Sequence, residues 1–372
     1  MCFESHIFQT QTTTDFIVGC TSFASKKICL SQKVVVLNTY IFSGLYYYLW
    51  ASTPSPLFFK LCDKIQRWFM GVSKDRFDQT KTYSLHMALT IFKKPKSHGG
   101  FGLVDLKTKS MSFKWKLLER YRTVESPFRT LIFSQLKTAQ SLKKNNVLSQ
   151  SKKCPSSALG YAREIIQGAI LLKPSFQATE LDEVFTPTTI TLPKIVGLAD
   201  EGVTEISPTR ELALRMLHCQ RPFDELRDGQ KALQLLCPSL NYDTVWKEMY
   251  VFRKLRPAVK SFLRKMFNAG IFLPTSCPLC NVEISTSSTL HFVTCPVVLD
   301  TLSKLCTNAS LLDFLSKPAN TFKKEPVFPL LLYVMYCVCM NIVYDGDKHV
   351  DFIPRVKLRL ESEMKRRDYK FH

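Results

Sequence analysis

Apolar residues recur at helical spacing in three stretches, each with the punctuation that helices carry at their ends. Leu57, Leu61, Ile65 and Phe69 follow Ser55 and Pro56, an N-cap with proline at the first helical position, and Gly71 stands where that helix should end. Met111, Trp115 and Leu118 mark a second helix from about Ser110 to Tyr121. Val259, Phe262, Leu263, Met266 and Phe267 repeat at i, i+3, i+4, i+7 and i+8 between Pro257 and Gly270, which predicts a third. A further helix is expected from Ser207 to His218, opened by Ser207-Pro208, although Glu211 sits one place too late for a capping box. Strand signals are few: Thr188-Thr189-Ile190-Thr191-Leu192 is the clearest and admits a hairpin. The pattern therefore predicts a mainly α-helical protein.

Two runs lack charge altogether. Val34 to Phe59 is interrupted by Asn38, Thr39, Ser43, Gly44, Pro54 and Pro56. Its apolar part is about 17 residues, short of the roughly 20 that a spanning helix needs. Pro326 to Tyr344 carries Pro329 near its start. Both are expected to be buried core helices, with no membrane as partner. The punctuation divides the chain into a helical segment over 33–130, a polar linker over 131–158 rich in lysine, asparagine and serine, a block over 159–240 with no interpretable motif, and a final block over 241–372. There is no internal repeat of the solenoid kind.

Composition adds a partner class. Among 372 residues, 45% are hydrophobic and 22% charged, enough to bury a core, which excludes collagen-like, mucin-like and low-complexity readings. Lysine and arginine number 51 against 31 acidic residues, giving +20, so a polyanion such as RNA or DNA is the expected partner. No small-molecule substrate is implied. Thirteen cysteines are spread along a chain with no cleavable signal at its start, which points to a reducing intracellular compartment, nucleus or cytoplasm, and to metal binding rather than disulfides.

Directly after the third helix come Cys277-Pro278-Leu279-Cys280, then His291 and Cys295-Pro296. Cysteines two residues apart bind one metal from a single tight turn, and His291 with Cys295 complete a tetrahedron. Three thiolates and one imidazole suit zinc, and a shell fully supplied by protein suits a structural rather than catalytic ion. The same spacing also admits small buried thiols or a redox pair. Cys306 is a possible substitute ligand, and Cys337 and Cys339 read as packing residues. Around the third helix, Arg253, Lys254, Arg256, Lys260, Arg264 and Lys265 are candidates for phosphate contact, with Lys93, Lys94 and Lys96 a second basic cluster that also admits a nuclear-targeting role. Phe292 is a weaker candidate for stacking on a base, and Lys365-Arg366-Arg367 a further basic tail.

The ordered motifs carry a resemblance. Lys94-Pro95-Lys96-Ser97-His98-Gly99-Gly100-Phe101-Gly102-Leu103-Val104-Asp105-Leu106, followed by Lys114-Trp115, resembles the segment beyond the polymerase core in reverse transcriptases of LINE-type non-LTR retrotransposons. Val36 to Ser43 resembles the helix before it, and Cys277, Cys280, His291 and Cys295 with Pro296 resemble the zinc-binding domain near the carboxyl end of those enzymes. The spacer of Phe292, Val293 and Thr294 is one residue shorter than is common in that family. The resemblance implies a helical thumb-like segment over 33–130 and a small zinc-knuckle subdomain packed on helices. It also implies a fragment without polymerase activity, because the aromatic-Ala-Asp-Asp turn that holds two catalytic metals has no match. Asp200-Glu201 and Asp345-Gly346-Asp347 follow the Gly-Gly segment instead of preceding it, and no Pro-Asp follows Cys295 as an endonuclease would require. The expected function is non-catalytic nucleic-acid binding. A zinc-stabilised module for protein interaction is the alternative the residues leave open.

Overall fold

The computed structural model of the protein describes residues 2–24, 26, 28–71, 76–85, 87–123, 127, 130, 160–172, 195–196, 203–204, 209–220, 222–223, 225–249, 252, 255–285, 287–345 and 351–365. The expected linker over 131–158, the threonine-rich stretch and Ser207-Pro208 lie outside them.

The described chain is mainly helical. Helix α1 spans Cys2–Ala24, and α2 (Leu30–Val36) runs through a π-helical turn, Leu37–Ile41, into α3 (Phe42–Ala51). Helix α4 covers Pro56–Met70 as its punctuation predicts: the Ser55 hydroxyl accepts from the Phe58 N–H, Pro56 opens the helix and Gly71 follows it. After α5 (Leu89–Lys93) and a 3₁₀ turn at Lys96–His98 comes α6, Leu106–Thr123. It starts at Leu106 rather than Ser110 because Asp105 caps it, accepting from the Thr108 N–H at 3.0 Å. Then follow α7 (Gly160–Leu172), α8 (Thr209–Gln220), α9 (Asp228–Leu236), α10 (Tyr242–Glu248) and α11 (Pro257–Phe267). The carboxyl part adds α12 (Ser288–Thr294), α13 (Pro296–Leu305), α14 (Leu311–Ser316), α15 (Pro318–Lys324), α16 (Phe328–Asp345) and α17 (Phe352–Lys365). Strand pairing among the described residues amounts to Ile195–Val196 against Val203–Thr204 and one bridge, Ser276 with Glu283.

These elements form two compact units that interleave along the chain. The first comprises Met1–Lys26, Val35–Tyr83 and Leu103–Glu225, the second Lys27–Val34, Ser84–Gly102 and Leu226–His372. The block drawn from sequence over 33–130 is therefore split: residues 84–102, with most of the Gly-Gly segment, fold with the carboxyl third. Sequence punctuation marks only contiguous boundaries, and a discontinuous unit carries none.

In the first unit, α6 packs on α3, α7 and α8, and α1 on α3 and α4. Lys114 of α6 is fully buried, and its ammonium donates to the carbonyls of Leu49, Trp50 and Ser52 at 2.6, 2.8 and 2.6 Å. The Tyr161 hydroxyl donates to the remaining carbonyl, that of Ala51, at 2.6 Å, and the Tyr161 ring lies 4.5 Å below the Lys114 ammonium. The C-terminal carbonyls of α3, left over by helix geometry, are thus satisfied by two side chains from elsewhere in the unit. Trp115, next to Lys114, is buried and donates to the Ile165 carbonyl at 3.1 Å. The Ser110 hydroxyl donates to buried Glu164 at 2.7 Å.

In the second unit, α11 is the centre. Phe262 meets Phe292, Tyr333 and Tyr336, while Phe267 meets Trp246 and Phe314. Helix α16 is the expected core helix, with Phe328, Leu331, Leu332 and Val334 to Met335 buried on all sides. By length and hydropathy, the run Leu30–Ala51 meets the requirement for a membrane span, because its helix begins upstream of the uncharged stretch; 39% of its 18-residue apolar window is buried. Pro318–Lys324 and Phe328–Tyr344 meet that requirement jointly, across a 99° bend.

The Gly-Gly segment is fixed by sterics. Gly99 has φ +78°, and a Cβ there would lie 2.3 Å from the Trp246 ring. A Cβ on Gly100 would lie 1.9 Å from the Lys94 carbonyl oxygen. That oxygen accepts from the Gly102 N–H at 2.9 Å, so it has no freedom to give way. Gly100→Ala is expected to destabilise the chain by roughly 1–3 kcal/mol in urea unfolding. Gly44→Ala in α3, where nothing lies within 4 Å, should instead stabilise it by up to about 1 kcal/mol. Equal effects of the two would contradict the packing described.

Burial raises the Glu164 carboxyl from its ordinary 4.5 to about 7, opposed by Lys114, the Ser110 hydroxyl and Lys107. An acid with a raised pKa binds its proton more tightly when folded, so this contribution is complete below about pH 4.5 and is lost as pH rises to about 7. Burial lowers Lys114 to about 8, an effect that acts in the opposite sense at higher pH. The unfolding midpoint of the parent should therefore fall between about pH 5 and pH 7 relative to Glu164→Gln. A parent and variant with parallel pH profiles over that range would rule this out.

Candidate metal centre

Helix α11 ends at Asn268 and Ala269, with Ala269 in the left-handed region (φ 51°) and the Gly270 N–H reaching back to the Lys265 carbonyl at 2.7 Å. Gly270 is one place beyond the left-handed position, which alanine occupies. The chain then leaves the helix extended and folds into a short hairpin. Ile284 N–H donates to the Thr275 carbonyl at 2.7 Å and Cys277 N–H to the Val282 carbonyl at 2.9 Å, with Asn281 at φ 58° closing the turn. Cys277 and Cys280 occupy this turn.

The other two candidate ligands come from one helical turn. His291 lies on α12, and Cys295 follows that helix and caps α13, where Pro296 takes the first position. Four residues apart, they share a face, so the spacer of three residues suits a helix-borne pair. Phe292 and Val293 are buried and anchor α12 in the core. Phe292 packs edge-on against Phe262 and Tyr336, which makes it a core residue and not a platform for a base.

The four side chains converge. Their ligand atoms lie within 4.8 Å of one another, with Cys277 Sγ 4.0 Å from Cys295 Sγ and Cys280 Sγ 3.3 Å from His291 Nε2. A tetrahedron with bonds of about 2.3 Å to sulfur has edges of about 3.8 Å, so these residues can hold one metal ion. The surrounding amides favour thiolates. The N–H groups of Leu279 and Cys280 point at the Cys277 sulfur, and those of Val297 and Val298 at the Cys295 sulfur. With protons alone between them, the hydrogen bond to Cys295 holds the Cys277 thiol well below its ordinary range and pushes Cys295 above it. A bound cation removes that asymmetry by taking both as thiolates.

Cys306 is not part of this cluster. It is buried, and desolvation with Glu325 nearby raises its thiol to about 11. Cys339 is buried in α16, its thiol raised to about 12 mainly by desolvation, and Cys337 is half-buried.

The basic candidates fare differently. Lys93 and Lys94 are 8% and 7% exposed, so the proposed phosphate contacts by these two are corrected: the loop folds them inward. Lys96 is exposed. Arg256 is engaged by Glu363 of α17, pairing with its carboxylate and donating to its carbonyl at 3.0 Å. Lys260, Arg264 and Lys265 are half-buried; Arg264 lies 5.8 Å over the Phe101 ring, and burial lowers the Lys265 amine. Arg253 and Lys254 lie outside the described residues, as do Arg366 and Arg367; Lys365 is exposed at the end of α17. The two basic clusters of the sequence nonetheless meet in one unit, where Asn268 of the α11 terminus donates to the Gly99 carbonyl at 2.8 Å. Sequence reading missed Lys317, Lys323 and Lys324, which border a cleft; the adjacent Lys323-Lys324 pair was its only signal.

Comparison with family models, with curated proteins and with solved structures yields no match.

Cobalt(II) titration should saturate at one ion per chain with thiolate-to-metal charge-transfer absorption. Cys280→Ser should weaken that absorption, and Cys306→Ser should leave it unchanged. A response to Cys306→Ser as large as to Cys280→Ser would refute the ligand set.

Proposed function

We propose that the chain is a non-catalytic, nucleic-acid-binding segment of a LINE-type retrotransposon reverse transcriptase, with its second unit organised by one structural zinc ion. The observation that carries this reading is the convergence of three sulfur atoms and one imidazole nitrogen on a single point. Three thiolates with an imidazole select zinc among available cations, and four protein ligands leave no position for an activated water. When bound, the ion supplies folding free energy rather than chemistry. His291 and the three cysteines hold it, and the amides around Cys277 and Cys295 steady the thiolates.

The partner follows from charge. A net +20 with few clustered carboxylates draws a polyanion, and the Gly-Gly segment ahead of a Lys-Trp helix gives the reading its family. The chain's own motifs offer no aromatic-Ala-Asp-Asp turn, so polymerisation is not part of the proposed role.

The test joins metal and partner. Elemental analysis should return one zinc per purified chain, lost in Cys280→Ser. The zinc-loaded chain should bind single-stranded RNA with log affinity falling linearly against log salt, by about 0.7 per phosphate contacted. A zinc-replete chain whose RNA affinity ignores salt would defeat the nucleic-acid reading and leave a module for protein interaction.

A further inference from the structure

The lining of a polar cleft in the second unit includes none of the basic residues singled out in the sequence. It has a volume of about 390 Å³ and is bordered by the loop at Asn308, the end of α14 and helix α15. Lys317, Lys323 and Lys324 line it together with Asn308 and Asn320, and all five side chains are exposed. One carboxylate, Asp313, shares the lining, and it already accepts from the Ser310 hydroxyl at 2.6 Å.

The floor is fixed. Phe314, Leu315, Ala319 and Thr321 are buried beneath it, and Glu248 accepts from the Ala319 N–H at 2.8 Å, holding the start of α15. Three ammonium groups around a preformed recess form a site for several phosphate groups, since lysine contacts phosphate as a point charge. The two asparagine amides offer donors and acceptors suited to sugar and base edges, which a purely electrostatic surface lacks.

We propose that this cleft is where the chain holds the phosphodiester backbone of a single nucleic-acid strand. The proposal rests on the nucleic-acid reading above and adds its place: the contact surface is the α14–α15 cleft, while the exposed α11 face is largely taken up by internal contacts. The half-buried state of Lys260, Arg264 and Lys265 and the engagement of Arg256 are the reason.

The experiment uses the zinc-loaded full chain and a fluorescent single-stranded oligoribonucleotide. The triple variant K317Q/K323Q/K324Q is compared with K60Q/K231Q/K357Q, which removes three exposed lysines elsewhere and leaves the net charge equal. The cleft variant should lose about tenfold or more in affinity and flatten the log affinity against log salt slope by about 2. The control variant should lose less than about threefold. Equal losses in the two variants, or none in either, would overturn the cleft while leaving the nucleic-acid reading intact. A parent that binds no RNA would overturn both. Competition by polyglutamate as strong as by unlabelled RNA would assign the cleft to acidic peptides instead and overturn the proposal.

Discussion

Four ligand atoms within 4.8 Å of one another are the constraint around which the second unit is built. Between the end of α11 and the start of α12 the chain has almost no regular structure, only a hairpin closed by three backbone bonds and a left-handed asparagine. Little in that hairpin holds itself in place. Its cysteines join the apolar cluster of α11, α12 and α16, where Cys277 and Cys295 are as buried as Phe292 and Val298. Thiolates buried in that setting cost free energy unless they are paired or ligated, so the packing and the ligand geometry depend on each other.

The first unit meets its own demand at the end of a helix. Helix α3, like any helix, ends in carbonyls that need donors. Lys114 satisfies three of them and Tyr161 the fourth, with the ammonium also resting on an aromatic face. The Lys-Trp pair on α6 therefore has a structural explanation on each side: the lysine terminates one helix, and the tryptophan braces another through Ile165. Such an arrangement places a charge where burial opposes it, and the nearby Glu164, held by Ser110, offsets part of that cost.

What was legible in the sequence was local. Ser55 with Pro56, Pro257 with its apolar stripe and the cysteine spacing each encode an element through interactions a few residues apart, and each appears where expected. What was not legible depended on distant contacts. Lys93 and Lys94 read as solvated charges, yet the sharp turn at Gly99 and Gly100 folds them inward. Lys114 reads as one more cation on an amphipathic helix, because nothing nearby in sequence announces the open end of α3. The interleaving of the two units escaped for the same reason, since Lys27–Val34 and Ser84–Gly102 join a unit whose remaining members begin at Leu226.

Cys295 closes α12 and opens α13 at once, and His291 stands one turn before it. A helix of seven residues is too short to persist on its own strength. Ligation of one ion by these residues would tie that turn to the hairpin at Cys277, which in polymer terms is a reversible cross-link closing the loop from residue 277 to residue 295. A covalent link across a loop of that size is worth about 3 kcal/mol through the entropy it removes from the unfolded chain. An ion held by these residues would make that link reversible, so that the order of one helix would follow the supply of metal rather than the sequence of that helix alone.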